Sequence, residues 1–107
     1  MASCLVLSTL NDRQRAETIA LTLVEERLVA CVNIVGPALS VYHWQGKIER
    51  DEEYVLLMKT ATSLTERLMA RLQQLHPYEV PEILVLPIAA GAAAYLDWIA
   101  RTVQSAP

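Results

Sequence analysis

Glycine occurs only three times in these 107 residues and cysteine only twice, and most chemistry that is legible from sequence needs more of one or the other. Three scattered glycines build no Gly-rich phosphate loop, and no Ser stands in a nucleophile elbow. Paired carboxylates in a recognisable local motif are also missing, so the chain is not expected to be an enzyme or to carry an organic cofactor. The two cysteines are 27 positions apart and form no CxxC pair. Soft-metal donors at Cys4, Cys31, His43 and His76 match no closed metal-site spacing. Basic residues are outnumbered nine to twelve by acidic ones, and no Lys/Arg cluster is present to neutralise several phosphates. Nucleic acid is therefore not the expected partner. No apolar run approaches the ~18 residues that span a bilayer, and Met1-Ala2-Ser3-Cys4 lacks the basic region of a signal peptide. These absences give the expectation of a cytoplasmic protein whose cysteines are reduced thiols, with a single disulfide as the alternative.

What the chain has in quantity is apolar strand. Hydrophobic residues make up 53% of it, and they concentrate in unbroken runs: Cys4-Leu5-Val6-Leu7, Tyr54-Val55-Leu56-Leu57-Met58 and Ile83-Leu84-Val85-Leu86. A strand with one wet face alternates polar and apolar residues, whereas a continuous run implies burial on both faces. A single domain, 1–107, is long enough for one core. It is too short in helix to cover both faces of such a sheet.

The order of elements follows from periodicity. Residues 4–9 read as a buried strand. Asn11-Asp12 cap a helix running to about residue 28, with Ala16, Ile19, Ala20, Leu23 and Val24 as its apolar stripe. From Ala30 the period becomes two, and extended chain continues past Gly36-Pro37 to Trp44. Gln45-Gly46 marks a tight turn, and a second arm covers 47–60. Its charged half, Glu49-Arg50-Asp51-Glu52-Glu53, is expected to be solvated. Ser63-Leu64-Thr65-Glu66 has the form of a capping box opening a helix over 63–75, with Leu64, Leu68, Leu72 and Leu75 on one face. His76-Pro77 ends it. A strand over 82–88 lies between Pro81 and Pro87, and a last helix spans about 92–103 with Tyr95, Leu96, Ile99 and Val103 inward.

This is a β-α-β-β-α-β order plus a C-terminal helix, the α+β ferredoxin-like sandwich, with a long hairpin between its second and third strands. Right-handed crossovers place both main helices on one side of the sheet. Another subunit's sheet is the simplest cover for the other side, so the chain is expected to be an oligomer. Each hairpin arm of ~14 residues reaches roughly 45 Å, beyond the roughly 30 Å width of a domain this size. The arms must bend at Gly36-Pro37 or overhang, and an overhanging tip near Trp44 is expected to pair with a neighbour.

Among the candidate site residues, Cys4 reads as a small core hydrophobe, while Cys31 is the thiol with a possible metal role. His76 has two readings: an imidazolium at a helix carboxyl end, or a metal ligand. His43 beside the turn reads as exposed or as a subunit contact. Lys59 ends an apolar strand, where an unpaired ammonium is costly. It can pair with Glu82, form an interfacial salt bridge, or bind an anionic ligand in a cleft with Tyr42, Trp44 and Tyr78.

Several stretches resemble the CutA family of divalent-cation tolerance proteins: Ala30-Cys31-Val32-Asn33-Ile34, Tyr42-His43-Trp44-Gln45-Gly46-Lys47-Ile48, Lys59-Thr60, His76-Pro77-Tyr78-Glu79-Val80-Pro81-Glu82-Ile83 and Tyr95-Leu96-Asp97-Trp98-Ile99. They lie in order at the family's spacing over nearly the whole chain. The resemblance implies a homotrimer of ferredoxin-like subunits with a PII-like assembly, cytoplasmic, and linked to copper and other divalent cations. Copper-binding bacterial members have cysteine where this chain has Ser8, a His-His pair where it has Leu75-His76, and another cysteine at Arg71. His76 remains, and separately Cys31, as ligands for weakly bound copper or another divalent cation. Two alternatives to a metal-responsive trimer stand beside it. One is a PII-like regulatory trimer binding a small anion or metabolite at subunit clefts; the other is a trimer whose assembly is itself the function.

Overall fold

Four strands and three helices are set out in the computed structural model, which describes residues 2–105. β1 (Ser3–Leu10) leads into α1 (Arg13–Glu25). β2 (Cys31–Trp44) and β3 (Lys47–Ala61) form the long hairpin; α2 (Thr65–Leu75), β4 (Leu84–Pro87) and α3 (Ala93–Thr102) complete the chain. The sheet order is β2-β3-β1-β4 with every pairing antiparallel, which is the ferredoxin-like arrangement that the element order implies.

Alternation along the strands separates the two faces of the sheet. Val6 and Leu10 of β1 and Leu56 and Met58 of β3 are buried in one cluster with Ile19 and Leu23 of α1 and Leu68 and Leu72 of α2. Leu5 and Leu7 point the other way, opposite Lys59 and Leu57 on β3 and Leu86 and Leu84 on β4. None of these six is buried, and Leu84 is 53% exposed. One face is thus covered by helices and the other is an apolar surface. A second, smaller cluster joins Ala30, Ala61 and Leu64 to Ile99 of α3 and to Val103 just after it.

The hairpin both bends and overhangs. Its register shifts between Val35 and Ala38, at Gly36-Pro37, where Gly36 has φ +154°. A Cβ there would stand 2.9 Å from the Glu53 carbonyl oxygen and 3.0 Å from the Tyr54 ring. β1 pairs with β3 only as far as Leu10 opposite Tyr54. Residues 47–53 therefore pair with β2 alone, as a two-stranded ribbon that draws the molecule out to 43 × 26 × 22 Å. β2 is an edge strand, and among the described residues no strand pairs along its outer side.

Several local expectations give way to tertiary context. α1 ends at Glu25, three residues early, because Arg27 takes a left-handed conformation (φ 58°). The N–H groups of Arg27 and Leu28 bond back to the carbonyls of Val24 and Leu23, a Schellman closure that drops Leu28 into the core. Arg27 is held there by α3: its guanidinium donates to the Thr102 carbonyl and its own carbonyl accepts from Gln104. Val24 lies outside the buried stripe, 40% exposed. The capping box at Ser63 does not form. Residues Thr62–Leu64 make a 3-10 turn instead, and the Thr65 hydroxyl donates to the Thr62 carbonyl. β4 is four residues rather than seven, and Tyr95 faces outward.

Replacing Gly36 with alanine forces a close contact with backbone and a strained φ, and is expected to cost about 1–3 kcal/mol. Urea denaturation of the two proteins would show it as a lower midpoint at unchanged slope.

Candidate functional site

Between the overhanging ribbon and the segment after α2 lies a cleft of about 620 Å³. The ribbon supplies Tyr42 and Trp44 from β2 and Asp51 and Glu53 from β3; the 78–82 segment supplies Tyr78, Glu79 and Glu82. Strand alternation explains the ribbon's share: Ala38 opposes Glu53, Ser40 opposes Asp51 and Tyr42 opposes Glu49, so these side chains share one face. No lysine or arginine lines the cleft.

The 76–82 segment is fixed by His76. Its Nδ1 accepts from the Tyr78 backbone N–H at 3.1 Å, which leaves the proton on Nε2, and Nε2 donates to the Thr9 carbonyl at 2.8 Å. Both nitrogens of the neutral ring are engaged within the chain. Burial lowers the His76 pKa from 6.5, against opposing contributions from the Thr9 hydrogen bond and the Glu53 charge. The Tyr78 ring packs edge-on against His76, 4.7 Å between centroids. Its hydroxyl donates to Glu53 Oε2 at 2.9 Å.

Glu53 was expected among the solvated charges and is instead only 6% exposed. Desolvation and the hydrogen bond to Glu53 push the Tyr78 phenol well above its ordinary range. Tyr42 is shifted upward too, first by desolvation and then by Asp51, Glu53 and Glu49. The cleft therefore has a negative field. Sequence alternation places Glu53 beside Asp51 and Glu49; only the fold adds Tyr78 above it.

Lys59 does not join this cleft and does not pair with Glu82. It is six positions along β3 from Glu53, on the open face opposite Cys31, where its ammonium donates to the Asn33 side chain and lies 3.8 Å from Cys31 Sγ. Cys31 and His76 are likewise not brought together. Cys31 pairs across β2–β3 with Lys59, whereas His76 binds Thr9, which faces Val55 four positions further along β3. Both cysteines are free thiols. Cys4 is buried with its sulfur 3.1 Å from the Thr62 hydroxyl. Among the described residues no three His, Cys, Asp or Glu side chains are grouped to hold a metal ion.

The other positions singled out by resemblance serve packing. Ser8 is fully buried, and its hydroxyl has no hydrogen-bond partner among the described residues. Leu75 packs partly buried against the main core. Arg71 makes a two-point contact with Glu26, at 2.8 and 2.7 Å, tying α2 to the end of α1. That hydrogen bonding lowers the Glu26 pKa and raises that of Arg71.

The structure is a helix-backed, ferredoxin-like sheet with an overhanging hairpin and an aromatic, carboxylate-lined cleft. The family model described as CutA1 divalent ion tolerance protein matches residues 4–102. The divalent-cation tolerance protein CutA of Thermus thermophilus is 53% identical over 88% of this chain and 91% of its own. The chloroplastic CutA protein of Arabidopsis thaliana is 40% identical over 96% of this chain, which spans 57% of that longer protein. The solved Thermus thermophilus structure superposes with TM-score 0.92 at 49% identity, covering 95% of this chain and 99% of the other. The chain belongs to the CutA1 divalent ion tolerance family.

Two outcomes follow from this geometry. Neutral His76 stabilises the fold fully above about pH 6.5, and that contribution is lost as pH falls through the unfolded value toward the lower folded one. Melting temperature is expected to drop between about pH 7 and pH 5, and less steeply in His76→Gln, as differential scanning fluorimetry across pH would reveal. Ser8→Ala removes an unpaired buried hydroxyl and is expected to leave stability unchanged or raise it by about 1 kcal/mol in chemical denaturation.

Proposed function

We propose that this chain acts in divalent-cation tolerance as a non-enzymatic homotrimer in a reducing, cytoplasmic setting, where copper or another divalent cation is held weakly and exchangeably. The observation that carries the reading is the open face of the sheet. Leu5, Leu7, Leu57, Leu84 and Leu86 form an apolar surface that the helices cannot reach, and family membership supplies the cation role. Copies of the same sheet cover that surface, while the free edge of β2 offers backbone groups for strand pairing. The two free thiols, on different strands and both unbridged, support the reducing compartment.

His76 acts as a structural clamp in this reading, because coordinating a metal would cost it a backbone hydrogen bond. Cys31, half-buried at the margin of the open face, is the soft donor left in reach of copper. One thiol beside a lysine ammonium makes a weak site. The alternative of a small anion bound at the cleft with Lys59 has less support, since the lining carries carboxylates and no basic side chain.

Native mass spectrometry is expected to give a trimer, and Leu57→Glu, which puts a charge on the open face, a monomer. An unchanged mass for that variant would refute the assembly. In copper titrations Cys31→Ser is expected to weaken binding about tenfold, with His76→Gln within about twofold of the parent. The reverse order of effects would restore His76 as the ligand.

A further inference from the structure

We propose that the cleft between the ribbon and the 78–82 segment binds an organic ammonium cation, its positive charge held by Glu53 and caged by Tyr42, Trp44 and Tyr78. Three observations converge on this ligand class, and none depends on the metal reading above.

The first is Glu53 itself. A carboxylate only 6% exposed is costly to bury unless its charge is met. Oε2 accepts from the Tyr78 hydroxyl, but among the described residues Oε1 accepts nothing and is not enclosed. Glu53 is among the residues that line the cavity, and its second oxygen is an unused acceptor.

The second is the company it keeps. Aromatic faces attract cations through their quadrupole, most strongly where water is excluded, and alkylated or primary ammonium groups are the cations that match both a π face and a carboxylate. Trp44 and Tyr42 reach the cleft from alternate positions on one strand, with Tyr78 across from them.

The third is scale. Divalent ions need several oxygen donors within about 2.0–2.6 Å of one point. Here the acids of the cleft are spread along its walls, with no three of the described His, Cys, Asp or Glu side chains close enough to share an ion. A volume of about 620 Å³ suits a small organic molecule. Dispersed carboxylates then serve a ligand whose charge is spread or repeated along several ångströms.

By strand alternation Glu53 and Asp51 follow Leu57 on the same side of β3, so the cleft continues the open face beyond the end of β1, and binding is tested on the intact assembly.

The signal is Trp44 fluorescence in a Trp98→Phe background, since Trp98 on α3 lies outside the cleft. Diaminobutane and tetramethylammonium are the two probes, distinguishing a primary diamine from a quaternary head group; butanediol and magnesium chloride are the controls. A saturable change with at least one ammonium probe, and none with either control, is expected. Glu53→Gln keeps an acceptor for Tyr78 and is expected to weaken binding about tenfold or more. Tyr42→Leu, on the exposed rim, gives a second loss of affinity that does not touch the buried carboxylate. Absence of saturation with both ammonium probes overturns the proposal. So does equal binding of magnesium or butanediol, or unaltered affinity in both variants.

Discussion

Two helices can cover only one face of a four-stranded sheet, and in this molecule both faces are apolar. Everything else about its organisation follows from that mismatch. Val6, Leu10, Leu56 and Met58 meet α1 and α2 and close a core. Leu5, Leu7, Leu57 and Leu86 carry the same kind of side chain on the opposite side, where the chain has nothing to set against them. Hydrophobic surface of this extent is a driving force for association at roughly 25 cal/mol per Å² removed from water. In the single chain that surface is left partly exposed. Lys59, Asn33 and Cys31 form a polar group at the margin of that surface, which gives it direction as well as grease.

The ribbon is the second consequence of the long hairpin. Once β1 runs out at Leu10, β3 has no inner partner, and its acidic stretch continues into space paired only with β2. Such a ribbon would be a weakly supported appendage were it not buttressed on one side. His76 supplies the buttress by spending both ring nitrogens on backbone, one on Thr9 and one on Tyr78, so that Tyr78 is carried to Glu53. The cleft is thus a by-product of how the end of α2 is tied to the end of β1. A histidine that looks like a ligand in sequence is here the fastener of the cleft wall.

The positions that the resemblance singles out are held by contacts within the chain. Arg71 is engaged by Glu26, Leu75 joins the core and Ser8 is sealed among apolar neighbours. Among the described residues no three His, Cys, Asp or Glu side chains gather at one point, and several acidic side chains of the ribbon line the cleft instead.

Periodicity alone determined the order of elements, the turn at Gln45-Gly46, the stop at His76-Pro77, the bend at Gly36-Pro37 and the excess apolar face. These are written in local alternation, in the torsional freedom of glycine and in the fixed φ of proline, which act over a few residues. Tertiary structure alone decided where charge is buried and who partners whom. Glu53 reads as one more member of a solvated run until Tyr78, 25 residues away, closes over it. Lys59 can be read as a partner for Glu82 until the strand register sets it opposite Cys31, with Asn33 in reach of its ammonium. The early end of α1 depends on α3 gripping Arg27 from 75 residues off. Local sequence fixes which torsions a segment prefers; the desolvation of a side chain is set by atoms that arrive from elsewhere in the chain, and no window of neighbours contains them.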